Sequence, residues 1–524
     1  MVLSVNTNNA ALYAQAAQSR TTNAMDTAME RLSSGKRINA AHDDAAGLAI
    51  STRMEGQIRG LEMAMKNAAD SQALMNTAEG AQDEISSILQ RMREISIQAS
   101  NDTNVAGDRV NLQTEVNQLI AEMDRIASQT TWNGMSVLDG TFNAKKFQIG
   151  AEAGQNITLS LDSVASSVLG NYAVNSTVQM SNVDGGGILA DTYTLVGPEG
   201  STTVTTVAGE SAKEFAARVN GAAGSTGITA NAVTKLKLDS LTAADSIALT
   251  INGTTTATVA VTSTTDLRGL RDAVNAKSGT TGVTASLHEG SNAALQLVDA
   301  DGDDISVILV AATATTELQL TALDKDGATA QSKASENLTI TLLGSNHTDA
   351  AAATESGKGE AVFITGQATL SSYDAFNVQV AQDGVAADVD GLGANNLKGD
   401  GEFFGTGGAA VVTTDNGALT TVSTIDVSTR TGAENALNVI DGALDKINNQ
   451  RAKLGAMSNR IDHTVSNLQS VKINTEASQG RIQDADFAAE TSNLVRAQIL
   501  SQAATAMLAQ ANASKQSVLT LLQG

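Results

Sequence analysis

The two ends of the chain carry apolar residues at alternating three- and four-residue steps over long stretches, and the middle does not. Near the C-terminus the ladder runs Leu437, Ile440, Leu444, Ile447, Leu454, Ile461, Val465 and Leu468. Such spacing keeps a narrow apolar seam along one side of a helix and demands a partner helix. Near the N-terminus Met54, Ile58, Leu61, Met65 and Ala68 repeat the pattern, and Ile85, Ile88, Met92 and Ile95 resume it. Leu112, Val116, Leu119, Met123 and Ile126 form a third seam. Three seams separated by a long insert can satisfy one another. The expectation is a mixed fold class: a long α-helical coiled-coil rod built from both termini, a β-hairpin region, and β-rich α+β outer domains inserted in the middle. That is the design of a filament subunit and not of a compact enzyme.

Composition limits the chemistry. The 524 residues include no cysteine, one proline and 2% aromatics, so disulfide, zinc-thiolate and iron–sulfur chemistry are ruled out. A formal net charge of −23 argues against nucleic acid as a partner, because phosphate binding relies on clustered Lys and Arg. No run of eighteen or more apolar residues is present, so no membrane insertion is expected. The first thirty residues lack the apolar region of a secretory signal, which leaves either a cytoplasmic chain or export by another route.

Local signals place the elements. Ala11, Ala14, Met25, Ala28 and Leu32 share a weak helical stripe ending before Gly35. Asp43 and Asp44 read as the cap of a helix continuing to Ser100, on the order of 85 Å long at ~1.5 Å per residue. A turn follows, with Asp108 opening the next helix, which ends before Trp132. Lys146 to Gly150 and Asn156 to Leu161 alternate at period two and read as strands. In the insert, Phe215 to Asn220 followed by Gly224 and Gly227 is echoed 55 residues later by Leu270 to Asn275, Gly279 and Gly282. Each copy reads as helix, Gly-containing turn and strand, a duplicated α+β module. The C-terminal seam helix is expected to run to about Ser478, with Gly480 and Asp484–Asp486 interrupting it and Asp486 capping the last helix. Ala497, Leu500, Ala504, Met507, Ala511, Val518 and Leu521 continue there as a thin, alanine-rich stripe. Thin terminal seams bury too little to order themselves and are assigned to contacts between subunits. The candidate interface residues are Leu12, Met25, Leu32, Leu500, Met507, Val518 and Leu521.

No constellation points to catalysis, to a metal or to a cofactor. His288-Glu289-Gly290 lacks the second histidine of a zinc-protease helix and reads as a loop, and His42, His288, His347 and His463 are scattered. Asp299, Asp301 and Asp303 alternate as in a calcium loop, but Asp304 stands where glycine is needed and Val310 where glutamate is needed, so a solvated turn is expected. Gly405, Gly407 and Gly408 lack the strand–helix setting and acidic partner of a dinucleotide site. An enzyme displayed by the insert is the alternative of a different class; it would require titratable residues converging on a pocket.

Arg31 to Asn39 (RLSSGKRIN) and Asp43 to Ile50 (DDAAGLAI) closely resemble the N-terminal signature of bacterial flagellins. Leu89 to Ile95 (LQRMREI), Gln129 to Gly134 (QTTWNG), Asn459-Arg460, Arg481 to Phe487 (RIQDADF) and Leu519 to Leu522 (LTLL) match further family blocks. The resemblance covers about the first 170 and last 95 residues. It implies a secreted subunit that polymerises into the extracellular flagellar filament, exported by the flagellum's own apparatus; a hook–filament junction protein of the same family is the alternative. The implied segments are 1–42 and 483–524 as helices of the filament inner core, 43–175 and 431–482 as the helical rod with its hairpin region, and 176–430 as outer domains. Implied partners are further copies of the chain, an export chaperone, the filament cap, hook–filament junction proteins and the animal innate-immune flagellin receptor. Arg91, Ile95 and Glu115 match positions recognised by that receptor.

Overall fold

A computed structural model describes residues 7–523, apart from 177, 182–187, 189–191, 208, 314, 331–338, 344–357, 360, 382–402 and 405–412. The chain divides into two compact units. One comprises Met1–Glu79, Phe142–Ser160 and Ala452–Gly524, the other Gly80–Thr141 and Leu161–Arg451. The helices are α1 (Asn9–Ser34), α2 (Ala45–Ser100), α3 (Ala106–Gln129), α4 (Ala212–Gly221), α5 (Ala223–Thr226), α6 (Arg268–Asn275), α7 (Ser278–Thr281), α8 (Arg430–Gln483) and α9 (Phe487–Gln523). The fold is therefore mixed, with long helices from both termini and a strand-rich middle.

In the first unit, helix ends sit where the capping chemistry puts them. Gly35 takes the left-handed conformation at φ +69° after α1. Asp44 caps α2 by accepting from the Ala46 and Gly47 N–H groups. Asp486 caps α9 by accepting from Ala488 and Ala489. The two breaks bind each other: Arg37 N–H donates to the Gln483 carbonyl at 2.7 Å, and Ala485 N–H to Gly35 at 3.0 Å. Gly480 does not interrupt α8, contrary to the sequence expectation. The helix continues past it to Gln483, and the Asp484 carboxylate lies 2.7 Å from where a Cβ would stand. The portions of α2 and α8 in this unit run antiparallel, with Glu62 bonded to Lys472 at 2.8 Å and Gln72 to Asp462 at 3.0 Å. Ile58, Leu61, Leu74, Met75, Leu454 and Ile461 are buried. The expected strand pair is present as Lys145–Gln148 and Asn156–Leu159, antiparallel.

In the second unit, Ile85, Ile88, Leu89, Met92 and Ile95 of α2, Val116, Met123 and Ile126 of α3, and Val439, Ile440 and Ile447 of α8 are all buried. Helix α3 starts two residues before Asp108, whose carboxylate reaches back to the Val105 N–H at 3.3 Å and so sits one turn inside. A tight hairpin joins Thr131–Trp132 to Met135–Ser136 through Asn133 and Gly134, both at positive φ, the geometry that Asn-Gly favours.

The nine-stranded sheet of the middle region is organised by the strand Thr229–Asp239. It pairs antiparallel with Leu295–Asp299, Glu317–Leu323 and Gln367–Ser372. Its buried residues alternate, with Ala232, Thr234, Leu236 and Leu238 facing in. The duplication is real in three dimensions. Asn220 brackets Ala230, its amide accepting from the N–H at 2.8 Å and donating to the carbonyl at 2.9 Å. Asn275 does the same to Ala285, with both bonds at 2.8 Å. Gly227 and Gly282 make the same left-handed turn at φ +70° and +75°. One copy packs on an aromatic cluster of Tyr193, Phe215, Phe403 and Phe404; the other lies in an aliphatic core with Leu270, Val274 and Val283.

The aspartate run is a solvated turn only in part: Ala300 and Asp301 form an exposed turn, but the first member of the run does not share that exposure. Asp299 is buried at the end of its strand and accepts the Asp301 N–H at 3.0 Å, while Lys213 pairs with Asp301 at 3.3 Å and Asp303 at 2.7 Å. Burial pushes Asp304 up to about 7; only the Thr365 hydroxyl opposes it, and Asp303 and Glu214 add to the rise. Its Oδ1 is buried without a hydrogen-bond partner. The folded chain thus keeps this proton up to about pH 7, whereas the unfolded chain releases it near ~4. The contribution to stability is complete below about pH 4 and is lost as pH rises through 7. Asp304→Asn should therefore raise the melting temperature by a few degrees at pH 8 and leave it unchanged at pH 4. An equal shift at both values in scanning calorimetry would refute the assignment.

Candidate subunit interface and the Arg91 surface

Helices α1 and α9 pack side by side through small side chains. Ala11, Ala14, Gln18, Thr21, Met25, Ala28 and Leu32 are among the half-buried or buried positions of α1 and follow alternating three- and four-residue steps. Leu494, Ala497, Ser501, Ala504, Leu508 and Ala511 are their counterparts on α9. Gln18 donates to Ser501 at 3.1 Å, Asn8 to the Ala511 carbonyl at 3.2 Å, and Arg31 approaches Glu490 at 3.7 Å, so the pair is antiparallel. A seam of alanines brings two backbones close but removes little apolar area from water.

Several large apolar side chains lie off this seam and are exposed. At about 100° per residue, Leu12 and Tyr13 fall well round α1 from its seam, and Val495 and Ile499 fall opposite the seam of α9. Leu12 is 57% exposed, Leu500 49% and Met507 63%. Tyr13, Val495 and Ile499 are exposed too, and a shallow groove on α9 is lined by Thr491, Ser492, Val495, Arg496, Ile499 and Leu500. The expected interface set is thereby divided. Leu12, Leu500 and Met507 are free for another molecule, whereas Met25 and Leu32 belong to the half-buried face of α1. The side chains of Val518 and Leu521 lie outside the described residues. Tyr13 lies off the stripe of α1, and Val495 and Ile499 off the alanine-rich stripe of α9, so neither stripe points to them. The pair Val495 and Ile499, four residues apart, was the available signal of a second face.

On the second unit, Arg91 bonds to Glu115 through Nε at 3.0 Å and Nη2 at 2.8 Å, and through Nη1 to Glu94 at 2.9 Å. These bonds, that to Glu115 foremost, hold the guanidinium further above its ordinary pKa. Ile95 does not share this exposed surface: it lies on the inner seam and is 0% exposed in the folded chain.

His288–Gly290 is a single 3-10 turn, and His347 and Gly405 to Gly408 lie outside the described residues. Among the described residues no group of three or more His, Cys, Asp or Glu could hold a metal, and no helix is long and apolar enough to cross a membrane.

Long helices from both ends, paired along an alanine-rich seam and carrying exposed apolar side chains, define a helical structural subunit. Residues 5–143 match the bacterial flagellin N-terminal helical region, 437–522 the bacterial flagellin C-terminal helical region, and 248–308 the flagellin hook IN motif. The chain is 35% identical over 534 residues to the B-type flagellin of Pseudomonas aeruginosa and 32% identical over 523 residues to flagellin A of Vibrio anguillarum, with 100% of each chain covered in both cases. A solved structure of FliC from Burkholderia pseudomallei aligns at TM-score 0.27 and 20% identity, covering 74% of this chain and 99% of that one. Hook-associated protein-3 from Legionella pneumophila aligns at 0.33 and 12%, covering 82% and 98%. The chain belongs to the bacterial flagellins, and it is a structural subunit of the flagellar filament.

Proposed function

We propose that copies polymerise through the outward apolar face of the α1–α9 pair, with Leu12, Leu500 and Met507 from the expected set joined by Tyr13, Val495 and Ile499. Val518 and Leu521 extend the same helix and belong to the same contact. The observation that carries this reading is the exposure of large apolar side chains on both helices, an arrangement that costs free energy in an isolated molecule in water. A contact of this kind repeats from copy to copy and generates an open helical polymer when its rotation does not close. Segments 1–42 and 483–524 then form the filament inner core, with 43–175 and 431–482 around it and 176–430 outermost.

The chain works outside the cell as a secreted, non-enzymatic building block. Its partners are its own copies, an export chaperone, the filament cap and the hook–filament junction proteins. The Arg91 and Glu115 surface, with Glu94 in place of Ile95, is the face presented to an innate-immune receptor. Seeding the purified full-length chain with short fragments of its own filaments tests the reading under the electron microscope. Long uniform fibres are expected; failure to elongate beyond short stubs would instead favour a junction protein.

A further inference from the structure

With no cysteine in the chain, its 13 methionines hold all the sulfur that an oxidant can attack. They are not equally open to one. Met75, Met92, Met123 and Met180 are at most 2% exposed and sealed inside the packed units. Met29, Met63, Met135 and Met507 are exposed, and Met507, at 63%, is the most open methionine among the described residues. Met63 belongs to α2 and Met135 to the tight hairpin, so Met29 and Met507 are the exposed thioethers of the α1–α9 pair.

Two hydrogen bonds fix the level of Met507 along that pair. Asn8 reaches the Ala511 carbonyl at 3.2 Å and Gln18 reaches Ser501 at 3.1 Å, so in the antiparallel pair Leu12 and Tyr13 stand at the height of Met507. Leu12 is 57% exposed and Tyr13 79%. Leu500 precedes Met507 by two helical turns and therefore points to nearly the same side of α9. The oxidisable sulfur thus lies among the large apolar side chains that the isolated molecule leaves in water.

A thioether is apolar and adapts to irregular contacts, whereas its sulfoxide carries a strong S=O acceptor and no donor. The reaction balances with one hydrogen peroxide: the O–O bond breaks, an S=O bond forms, the sulfur gives up two electrons, and the second oxygen leaves as water. Burying that acceptor without a hydrogen-bond partner is unfavourable. We propose that Met507 is an oxidation switch for assembly: peroxide converts it to the sulfoxide in the free chain, and the sulfoxide holds the chain out of the polymer until it is reduced. The inference rests on the outward face of the α1–α9 pair being the contact between copies. That contact covers Met507 once it is made, so the free subunit is sensitive and the assembled one is shielded.

The full-length monomer is treated with dilute hydrogen peroxide, the sulfoxide at each methionine is read by peptide mass spectrometry, and the critical concentration is read by sedimentation of seeded reactions. Sulfoxide at Met507 should accumulate well ahead of that at Met75, Met92 and Met123, and the critical concentration should rise about tenfold or more. Methionine sulfoxide reductases of both epimer specificities, with dithiothreitol as the electron donor, should bring it back. Filaments given the same treatment should yield Met507 unoxidised. Met507→Leu has its own critical concentration, and peroxide should not move that value; Met507→Ile serves if the leucine chain does not elongate. Normal pelleting of native chain carrying the sulfoxide at Met507 overturns the proposal, as does a Met507→Leu chain as sensitive to peroxide as the native one. Leu500→Asp separates the two readings: if it pellets normally, the outward face is not the contact and both fall, whereas a blocked Leu500→Asp beside an unaffected sulfoxide sinks the switch alone.

Discussion

Exchanging Leu500 and Met507 for aspartate is expected to abolish filament growth while leaving the monomer's melting profile unaltered. Both side chains are exposed in the single chain, so the monomer loses no packing. In the polymer, burying a side chain of this size is favourable by about 1.5–3 kcal/mol, and an unpaired carboxylate placed in the same contact costs several kcal/mol more. A combined loss of roughly 4 kcal/mol or more per subunit raises the critical concentration about 1,000-fold, since every ~1.4 kcal/mol is tenfold. Sedimentation of seeded reactions over a range of concentrations reads this directly. Pelleting at the native concentration would show that the outward face of α9 is not an interface.

The contrast with Met25→Ala sharpens the assignment. Met25 lies on the half-buried face of α1, so its loss acts on the folded monomer before any polymer forms. Sequence periodicity could not separate these roles. A stripe of alanine, leucine and methionine reports that a helix has an apolar side, but which part faces a partner depends on how closely two backbones approach. Here the seam mixes alanines with Met25, Leu32, Leu494 and Leu508, while Leu12, Val495 and Ile499 lie off it and stay exposed.

Elsewhere the sequence was more explicit. Ends marked by capping chemistry at Gly35, Asp44 and Asp486 fall where expected, because a capping side chain and the N–H groups it satisfies are neighbours in sequence. The 55-residue echo (Phe215 to Leu270) was legible for the same reason, since Asn220 and Asn275 each bracket a residue ten positions on. Asp299 misled because its environment is tertiary: it is buried at a strand end beside a loop held by Lys213, 86 residues away in sequence.

Ile95 combines both kinds of information, and its substitution separates them. The heptad ladder from Ile85 placed it on an inner seam, whereas the family resemblance placed it beside Arg91 on a binding surface; its complete burial decides for the seam. Ile95→Ala should destabilise the folded chain by about 2–5 kcal/mol, the transfer term plus the cavity left among its neighbours. Arg91→Ala removes bonds to Glu115 and Glu94 that are all exposed, and exposed pairs of this kind add little to stability. Denaturant melts of the two variants should therefore differ by several-fold in lost stability. Receptor binding should follow the opposite order once both proteins are kept folded: Arg91→Ala weakens it directly, and Ile95→Ala only through whatever fraction is unfolded. If Ile95→Ala proved as stable as the native chain and still lost the receptor, its side chain would have to reach the surface, and the packing of α2 described above would be wrong.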